Sequence, residues 1–324
     1  MQRRKALLAL GAAALASGAP LAFGQDYPVR PLRLIVGYPP GAQSDSTARL
    51  IAAKLGDLLG QSVVVENRSG ASGVIAAEAA ARAPADGYTL LIGGNSNMVL
   101  APLVIDNLGY DPLRDFVPIG RVARVPYVVA VSSHVPAASF PELLDLARSK
   151  PDSLTCATGA LGTQVAVGWL MDSVGVKVVN VPYKGTAPAL TDVVAGRVDF
   201  IFADFAALAP HARAGAIRLL ATTGAARGRE TPKLPTVAEL GAPGFAYYSW
   251  TSVMAPGGTA PEIVAKLREV LGQAIRTRDF REVLEKTGAE VVYEEPESLS
   301  AHIKSEIERY RPIVKRSGVK DVTP

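Results

Sequence analysis

The feature that most constrains the fold is a repeated order of short β-branched strand, small-residue loop and amphipathic helix. Residues 32–36 form the first predicted strand, and apolar residues after Ser44 recur at helical spacing. Ser139 is predicted to begin a helix that ends before Pro151. This alternation is typical of α/β proteins with largely parallel sheets. The other predicted strands are 63–65, 89–92, 127–131, 154–157, 176–181, 198–202 and 217–222.

The order of the segments predicts two lobes. A stretch rich in proline and glycine at 232–244 precedes one more predicted strand, 249–254, and a charged helical region at 261–317. We expect the chain to leave the first lobe near Val125 and to return near Tyr247. Residues 25–125 and 247–324 then form lobe 1, and residues 126–246 form lobe 2. Two crossings make a hinge, and a cleft between lobes commonly binds small molecules. Two independent domains joined by one crossing are the alternative.

The N-terminus has the pattern of an export signal. Three basic residues at 3–5 precede an apolar run at 6–16, and small residues flank Phe23. We predict a signal peptide over residues 1–24 that is cleaved near Gly24/Gln25. Loss of the three basic residues would reduce the net charge of +4 to +1. The mature chain therefore has no basic excess for nucleic acid.

Motifs for catalysis or for metal binding are missing from the sequence. The nucleophile motif G-x-S-x-G is absent, and no phosphate-binding glycine fingerprint follows a strand. His134, His211 and His302 lie far apart and have no metal-ligand spacing. Cys156, the one cysteine, lies in an apolar strand, where a buried and inert thiol is expected. We therefore predict a protein without catalytic residues, metal or cofactor.

Loops of small residues between a strand and a helix are the candidate binding elements. In a parallel sheet such loops lie at the carboxyl ends of the strands, where ligands bind. Glycine allows close approach to the main chain, and free N–H groups in the first turn of a helix suit a carboxylate or phosphate. Ordinary turns between strands and helices also favour small residues. The candidate ligand-binding residues are Tyr38, Pro40, Gly41, Ala42, Gln43, Ser44, Asn95, Ser96, Gly159, Leu161, Gly162, Thr163, Gln164, Tyr183, Lys184, Gly185, Thr186, Ala187 and Asp204.

Several of these side chains have two interpretations. Lys184 either pairs with an anion or is a solvated turn residue. Asp204 either accepts from an amine or hydroxyl of a ligand or caps the helix that follows. Ser44 or Asp45, at the end of the first loop, is a suitable cap for the helix that follows. Asp45 is expected to cap the helix and not to meet an anion, because its charge would repel one. Tyr38 and Tyr183 either line the pocket or pack in the hinge.

Short motifs in a fixed order along the mature chain indicate a family. They are YPPG at 38–41, VVVENR at 63–68, DGYTLL at 86–91 and VPYKG at 181–185. This ordered set resembles the Bug, or tripartite tricarboxylate transporter, family of solute-binding receptors. The resemblance implies a two-lobed fold of the type II periplasmic-binding class, with mainly parallel sheets flanked by helices and a ligand cleft between the lobes.

The resemblance also implies a ligand class and partners. Family members bind small organic carboxylates, which include dicarboxylates, tricarboxylates, acidic amino acids and aromatic acids, through loop amides and ordered water. We therefore expect a periplasmic monomer that serves the membrane subunits of a secondary transporter. A sensory adaptor without its own transporter is one alternative. An exported hydrolase or lyase that uses Asp204, Tyr183 and Lys184 is another.

The sequence departs from the family pattern at two positions. Many members have a glycine-rich run in the first loop, where this chain has GAQSD at 41–45. Gln43 therefore either narrows the pocket or donates to the ligand. Ala166 stands about where many members have a histidine. Both departures affect the identity of the ligand and leave the predicted fold unchanged.

Overall fold

A computed structural model describes residues 27–294, 296–317 and 319 of the chain. The predicted signal peptide, residues 1–24, lies outside the described residues. Among those residues, every helix is too short or too polar to cross a membrane.

The first part of the chain builds a parallel sheet around a central buried strand. β1 pairs in parallel with β2 and β3, so that Leu34 lies opposite Val65 on one side and Leu90 on the other. Leu34 and Leu90 are fully buried, as expected for the interior strand of a sheet that is covered on both faces. The elements in this part are β1 Leu32–Val36, α1 Gln43–Leu59, β2 Val63–Asn67, a short 3₁₀ turn Ala71–Gly73, α2 Val74–Ala81, β3 Thr89–Gly93, a π-helical turn Asn95–Leu100, α3 Ala101–Val104 and β4 Phe116–Ser132.

The middle of the chain builds a second sheet of the same kind. Ser139 begins its first helix as predicted, and its hydroxyl accepts a hydrogen bond from the Glu142 amide. β5 pairs in parallel with β6 and β7. The elements are α4 Phe140–Ser149, β5 Thr155–Thr158, α5 Leu161–Ser173, β6 Val179–Pro182, α6 Thr186–Val194, β7 Phe200–Asp204, α7 Phe205–Arg213 and β8 Ile217–Thr222.

One long strand, β4, belongs to both sheets. β4 pairs antiparallel with β9, Tyr248–Pro256, from Phe116 to Pro126, and then pairs antiparallel with β7 and β8 from Tyr127 onward. The sequence predicted only the second half of β4, because proline, glycine and arginine interrupt the apolar pattern of the first half. The sheets are therefore mixed, with antiparallel strands where the chain crosses. The two-lobed α/β class is confirmed, whereas the predicted limits of the lobes remain a prediction.

The C-terminal region contains a strand that the sequence did not predict. It comprises α8 Pro261–Arg276, α9 Arg278–Glu285, β10 Glu290–Glu294 and α10 Pro296–Ser317. The prediction of an uninterrupted helical region was wrong at β10, which pairs antiparallel with β4. Gly288, at a φ of 83°, lies in the turn between α9 and β10, in a conformation that glycine adopts readily.

Helix α10 joins the cores of both lobes. Ile303 and Tyr310 of α10 belong to a buried cluster that also contains Leu91 of β3 and Leu170 of α5. The indole ring of Trp169 packs edge-on against Tyr310, with ring centroids 6.0 Å apart. The lobes therefore share apolar packing in addition to the two crossing strands.

Replacement of Ile303 by alanine tests this shared core. Ile303 is 1% exposed, and we expect Ile303→Ala to lower the free energy of unfolding by about 2–5 kcal/mol. Urea unfolding measures the change. Lys304→Ala, on the exposed side of the same helix, is the control and should change stability by less than about 0.5 kcal/mol. Equal stabilities of the two variants would contradict a structural role for α10.

Candidate ligand-binding cleft

A cavity of about 720 Å³ lies where loops of the two sheets meet. The loop between β1 and α1 lines it from lobe 1, and the loop between β6 and α6 lines it from lobe 2. We call it the outer cavity. The predicted residues in its wall are Tyr38, Pro40, Gly41, Ala42, Gln43, Gly159, Lys184, Gly185, Thr186, Ala187 and Asp204.

A smaller cavity of about 100 Å³ adjoins the outer one. Val125 and Tyr127 of β4 and Trp250 of β9 line it, so it lies against the crossing strands. We call it the inner cavity. The two cavities share several wall residues, Tyr38, Gln43 and Asp204 among them. The predicted residues in the inner wall are Tyr38, Ala42, Gln43, Ser44, Asn95, Ser96, Thr163, Thr186 and Asp204.

The loop before α1 is held by a buried carboxylate. Asp45 accepts hydrogen bonds from the Gly41 amide at 2.9 Å, from Arg49 Nε at 3.0 Å and from Asn67 Nδ2 at 2.8 Å. Burial alone would raise the pKa of Asp45, but the hydrogen bonds from Arg49, Gly41 and Asn67 outweigh it and hold that pKa below its usual value. The charge of Asp45 is therefore balanced within lobe 1.

Helix α1 begins two residues earlier than its predicted cap. Its N-cap is Ala42, so the prediction that Ser44 or Asp45 caps the helix was wrong. The extended conformation of Ala42 lets the helix begin at Gln43, while Asp45 reaches back to the Gly41 amide. No acceptor within the described part of the chain binds the amides of Gln43 and Ser44, as expected for the first turn of a helix. Gln43 Nε2 donates to Thr47 Oγ1 at 3.2 Å.

Helix α6 presents a second free N-terminus to the outer cavity. Its N-cap is Gly185, at a φ of 110°, and the amides of Thr186 and Ala187 have no acceptor among the described residues. Lys184 is exposed in the same wall, and none of the ion pairs within the described residues includes it. The first turns of α1 and α6 therefore bring unpaired donors from both lobes to one cavity.

Gly159 allows the loops of lobe 2 to lie close together. A Cβ atom at this position would lie 2.6 Å from the Gly185 carbonyl carbon and 2.6 Å from the Thr186 amide nitrogen. Both atoms belong to the main chain, so they cannot move aside as a flexible side chain can. Gly159 therefore supports the loop that presents the N-terminus of α6.

The N-terminus of α5 is already occupied. The Leu161 amide donates to Ser72 Oγ at 3.0 Å, and the Gly162 amide donates to Ser96 Oγ at 3.2 Å. Both serines belong to lobe 1, so these amides join the two lobes. Leu161, Gly162 and Gln164 lie outside the walls of both cavities.

Of the two candidates Tyr183 and Asp204, only Asp204 lines the cavities. The Tyr183 hydroxyl donates to Asp192 Oδ2 at 2.7 Å, and Tyr183 lies outside both cavity walls. Asp204 caps α7, since its Oδ1 accepts from the Ala207 amide at 3.0 Å, and it also lines both cavities. Burial raises the pKa of Asp204 and outweighs the hydrogen bonds that the carboxyl accepts.

Several wall residues were not predicted. Val283 and Leu284 of α9 give the outer cavity an apolar side, and His211 of α7 also lines it. Val283 is 50% exposed, although it is a large apolar residue. The sequence marked this segment only as helical. Tyr127 and Trp250 were missed because their positions depend on the crossing of β4 and β9.

The described residues contain no metal-binding cluster. Within 27–294, 296–317 and 319, no three His, Cys, Asp or Glu side chains lie together as metal ligands would. The thiol of Cys156 is buried, and burial raises its pKa well above the usual value.

Replacement of Gly159 by alanine tests the packing of the lobe 2 loops. We expect Gly159→Ala to lower the free energy of unfolding by about 1–3 kcal/mol, because the added methyl group overlaps main-chain atoms. Thermal unfolding measures it. Gly56→Ala is the control, since Gly56 is interior to α1 and alanine stabilises a helix interior by about 0.5–1 kcal/mol. A Gly159→Ala variant as stable as the wild type would contradict the close approach.

Replacement of Asp204 by asparagine tests the cost of its half-buried charge. Asparagine can still cap α7. Because the pKa of Asp204 is raised above its usual 3.8, the carboxylate lowers stability at neutral pH, and this cost vanishes once the pH falls below 3.8. We therefore expect Asp204→Asn to melt above the wild type at neutral pH and together with it in strong acid. The exposed Asp57→Asn serves as control. A variant that melts below the wild type at neutral pH would refute this assignment.

Comparisons with known proteins agree on one family. The family model described as tripartite tricarboxylate transporter family receptor matches residues 47–319. The chain is similar to Protein BugT of Bordetella pertussis, with 35% identity over 323 residues and 99% of each chain covered.

Solved structures of carboxylate complexes have the same fold. The chain is similar to Rpa4515 of R. palustris with adipate, at 38% identity and a TM-score of 0.86, covering 91% of this chain and 99% of that one. It is also similar to MatC of Rhodopseudomonas palustris with bound malate, at 31% identity and a TM-score of 0.81, covering 89% of this chain and all of the other.

Proposed function

The chain belongs to the tripartite tricarboxylate transporter receptor family, and we propose that it captures a small organic carboxylate between its lobes. As a receptor of a transporter family, it is a solute-binding protein and not an enzyme. The relatives with adipate and malate support a carboxylate as ligand.

One observation carries the proposal: the free first turns of α1 and α6 meet in the outer cavity. Of the free amides in the wall of this cavity, that of Gln43 comes from lobe 1, and those of Thr186 and Ala187 come from lobe 2. The N-terminus of a helix carries a partial positive charge and directs N–H groups at an anion. A carboxylate that accepts from both helices favours closure of the lobes, because only the closed state makes both sets of contacts.

The hinge of this motion is proposed at the two crossings. β4 changes its pairing partner between Pro126 and Tyr127, and β9 begins at Tyr248 beside them. This change of partner supports the predicted limits, with 126–246 as the moving lobe. The hydrogen bonds from the Leu161 amide to Ser72 and from the Gly162 amide to Ser96 then stabilise the closed state.

The cellular setting is part of the proposal. Membership in a periplasmic receptor family supports export, with cleavage of the signal peptide near Gly24/Gln25. It also supports delivery of the ligand by a monomer to the membrane subunits of a tripartite transporter. The hydrolase or lyase alternative lacks a site, because Tyr183 is bonded to Asp192 away from the cavity that Lys184 and Asp204 share.

Two variants of Gln43 separate the main-chain donor from the side chain. Gln43→Pro deletes one free amide, and proline is tolerated at the first position of a helix. Ala42 has φ −64° and ψ 157°, which suits a following proline. We expect Gln43→Pro to weaken carboxylate binding about ten- to a hundredfold, because a hydrogen bond to a charged group contributes about 1.5–3 kcal/mol. Calorimetry with adipate and malate measures the affinity.

Gln43→Ala is the matched control because it keeps the amide. We expect it to bind at least several times more tightly than Gln43→Pro. Lys184→Ala should weaken binding by less than about tenfold, since an exposed cation contributes about 1 kcal/mol or less. Equal affinities of the two Gln43 variants, or complete loss of binding in Lys184→Ala, would contradict recognition by main-chain amides.

A further inference from the structure

Asn95 is a buried polar side chain without partners. It is 3% exposed, it lies in the wall of the inner cavity, and neither its Oδ1 nor its Nδ2 has a hydrogen-bond partner among the described residues. An unpaired buried polar group costs about 1–3 kcal/mol. Its neighbour Asn97 is bonded, since Oδ1 accepts from the Gly94 amide and Nδ2 donates to the Ile92 carbonyl. The unpaired carboxamide of Asn95 therefore indicates that a ligand group binds in the inner cavity.

The charge of the inner cavity limits what that group can be. Among the described wall residues, Asp204 is the only charged side chain, and no lysine, arginine or histidine lines this cavity. A second carboxylate there would face the carboxylate of Asp204 without a cation to balance it. It would also leave Asn95 Oδ1 unpaired, because an ionised carboxylate only accepts hydrogen bonds.

We infer that the inner cavity selects a neutral ligand group that both donates and accepts hydrogen bonds, and that Asn95 is the residue that recognises it. This inference rests on the proposed function, in which the carboxylate of the ligand lies at the starts of α1 and α6. A carboxamide fits these requirements. Its carbonyl oxygen accepts from Asn95 Nδ2, and its N–H groups donate to Asn95 Oδ1 and to Asp204.

The volume of the inner cavity agrees with that of a small group at one end of the ligand. A volume of about 100 Å³ holds roughly three groups of the size of water, and a carboxamide has three heavy atoms. Trp250 Nε1, on another residue of this wall, also has no acceptor among the described residues. It is a second donor for the carbonyl oxygen. The preferred ligand class is thus a monocarboxylic acid with a neutral amide at its other end.

Acids that differ only at the far end test the inference. The six-carbon set is hexanoate, adipate, adipic acid monoamide and ε-aminohexanoate, and the four-carbon set is butyrate, succinate, succinamate and γ-aminobutyrate. Calorimetry measures each affinity for the wild type, Asn95→Leu and Asn95→Asp. In the better-bound set we expect the monoamide to bind the wild type about tenfold more tightly than the other three members. Asn95→Leu should reduce this preference to less than about threefold, and Asn95→Asp should shift it toward the amino acid.

Thermal unfolding without ligand separates recognition from a structural role. Because Asn95 has no partner to lose, we expect Asn95→Leu to melt at or above the wild-type temperature. Asn97→Leu, which breaks two hydrogen bonds, should melt lower. A lower melting temperature for Asn95→Leu would overturn the inference.

The binding results distinguish the two levels of the proposal. If the acids bind but the wild type prefers the dicarboxylate or the amino acid, or if Asn95→Leu keeps the preference for the amide, the inference fails and the proposed function stands. If neither set of acids binds the wild type, the proposed function and the inference fail together.

Discussion

The cleft depends on main-chain N–H groups that a helix cannot satisfy itself. The first turns of α1, α5 and α6 present such groups, and the fold uses them in two ways. Serines of lobe 1 occupy the amides of Leu161 and Gly162, whereas those at Gln43 and Thr186 have no acceptor in the described chain. The same kind of donor therefore serves two purposes, contact between lobes at α5 and reception of an anion at α1 and α6.

Two carboxylates, the buried Asp45 and the half-buried Asp204, determine the charge around these donors. Asp45 lies beside the first turn of α1, but Arg49 and Asn67 bind it and keep it ionised within lobe 1. Asp204 has no cationic partner in the described ion pairs, and burial raises its pKa. Asp204 lines both cavities, but Lys184 lines only the outer one, so among the described residues Asp204 is the sole charged side chain in the wall of the inner cavity. This difference gives a bound acid a defined orientation.

Local patterns predicted much of the fold and part of the site. Strand β1 and the Ser139 cap of α4 depend on neighbouring residues, so the sequence was sufficient there. The loops at Gly41 and Lys184 could be predicted as wall segments because parallel strands end at one edge of a sheet. The first half of β4 and strand β10 could not be predicted as strands, because pairing between distant segments stabilises them. The occupied amides of α5 depend on serines about 70–90 residues away.

The buried position of Cys156 has a practical consequence. It is the one cysteine in the sequence, and in the fold its side chain is enclosed and its thiolate is disfavoured. Alkylating dyes react with thiolates, so we expect Cys156 to react hardly at all with them in the native protein. A cysteine introduced on the surface of either lobe would then be labelled selectively, with no background site to delete first. Fluorophores placed in this way would report the distance between the lobes during a single titration.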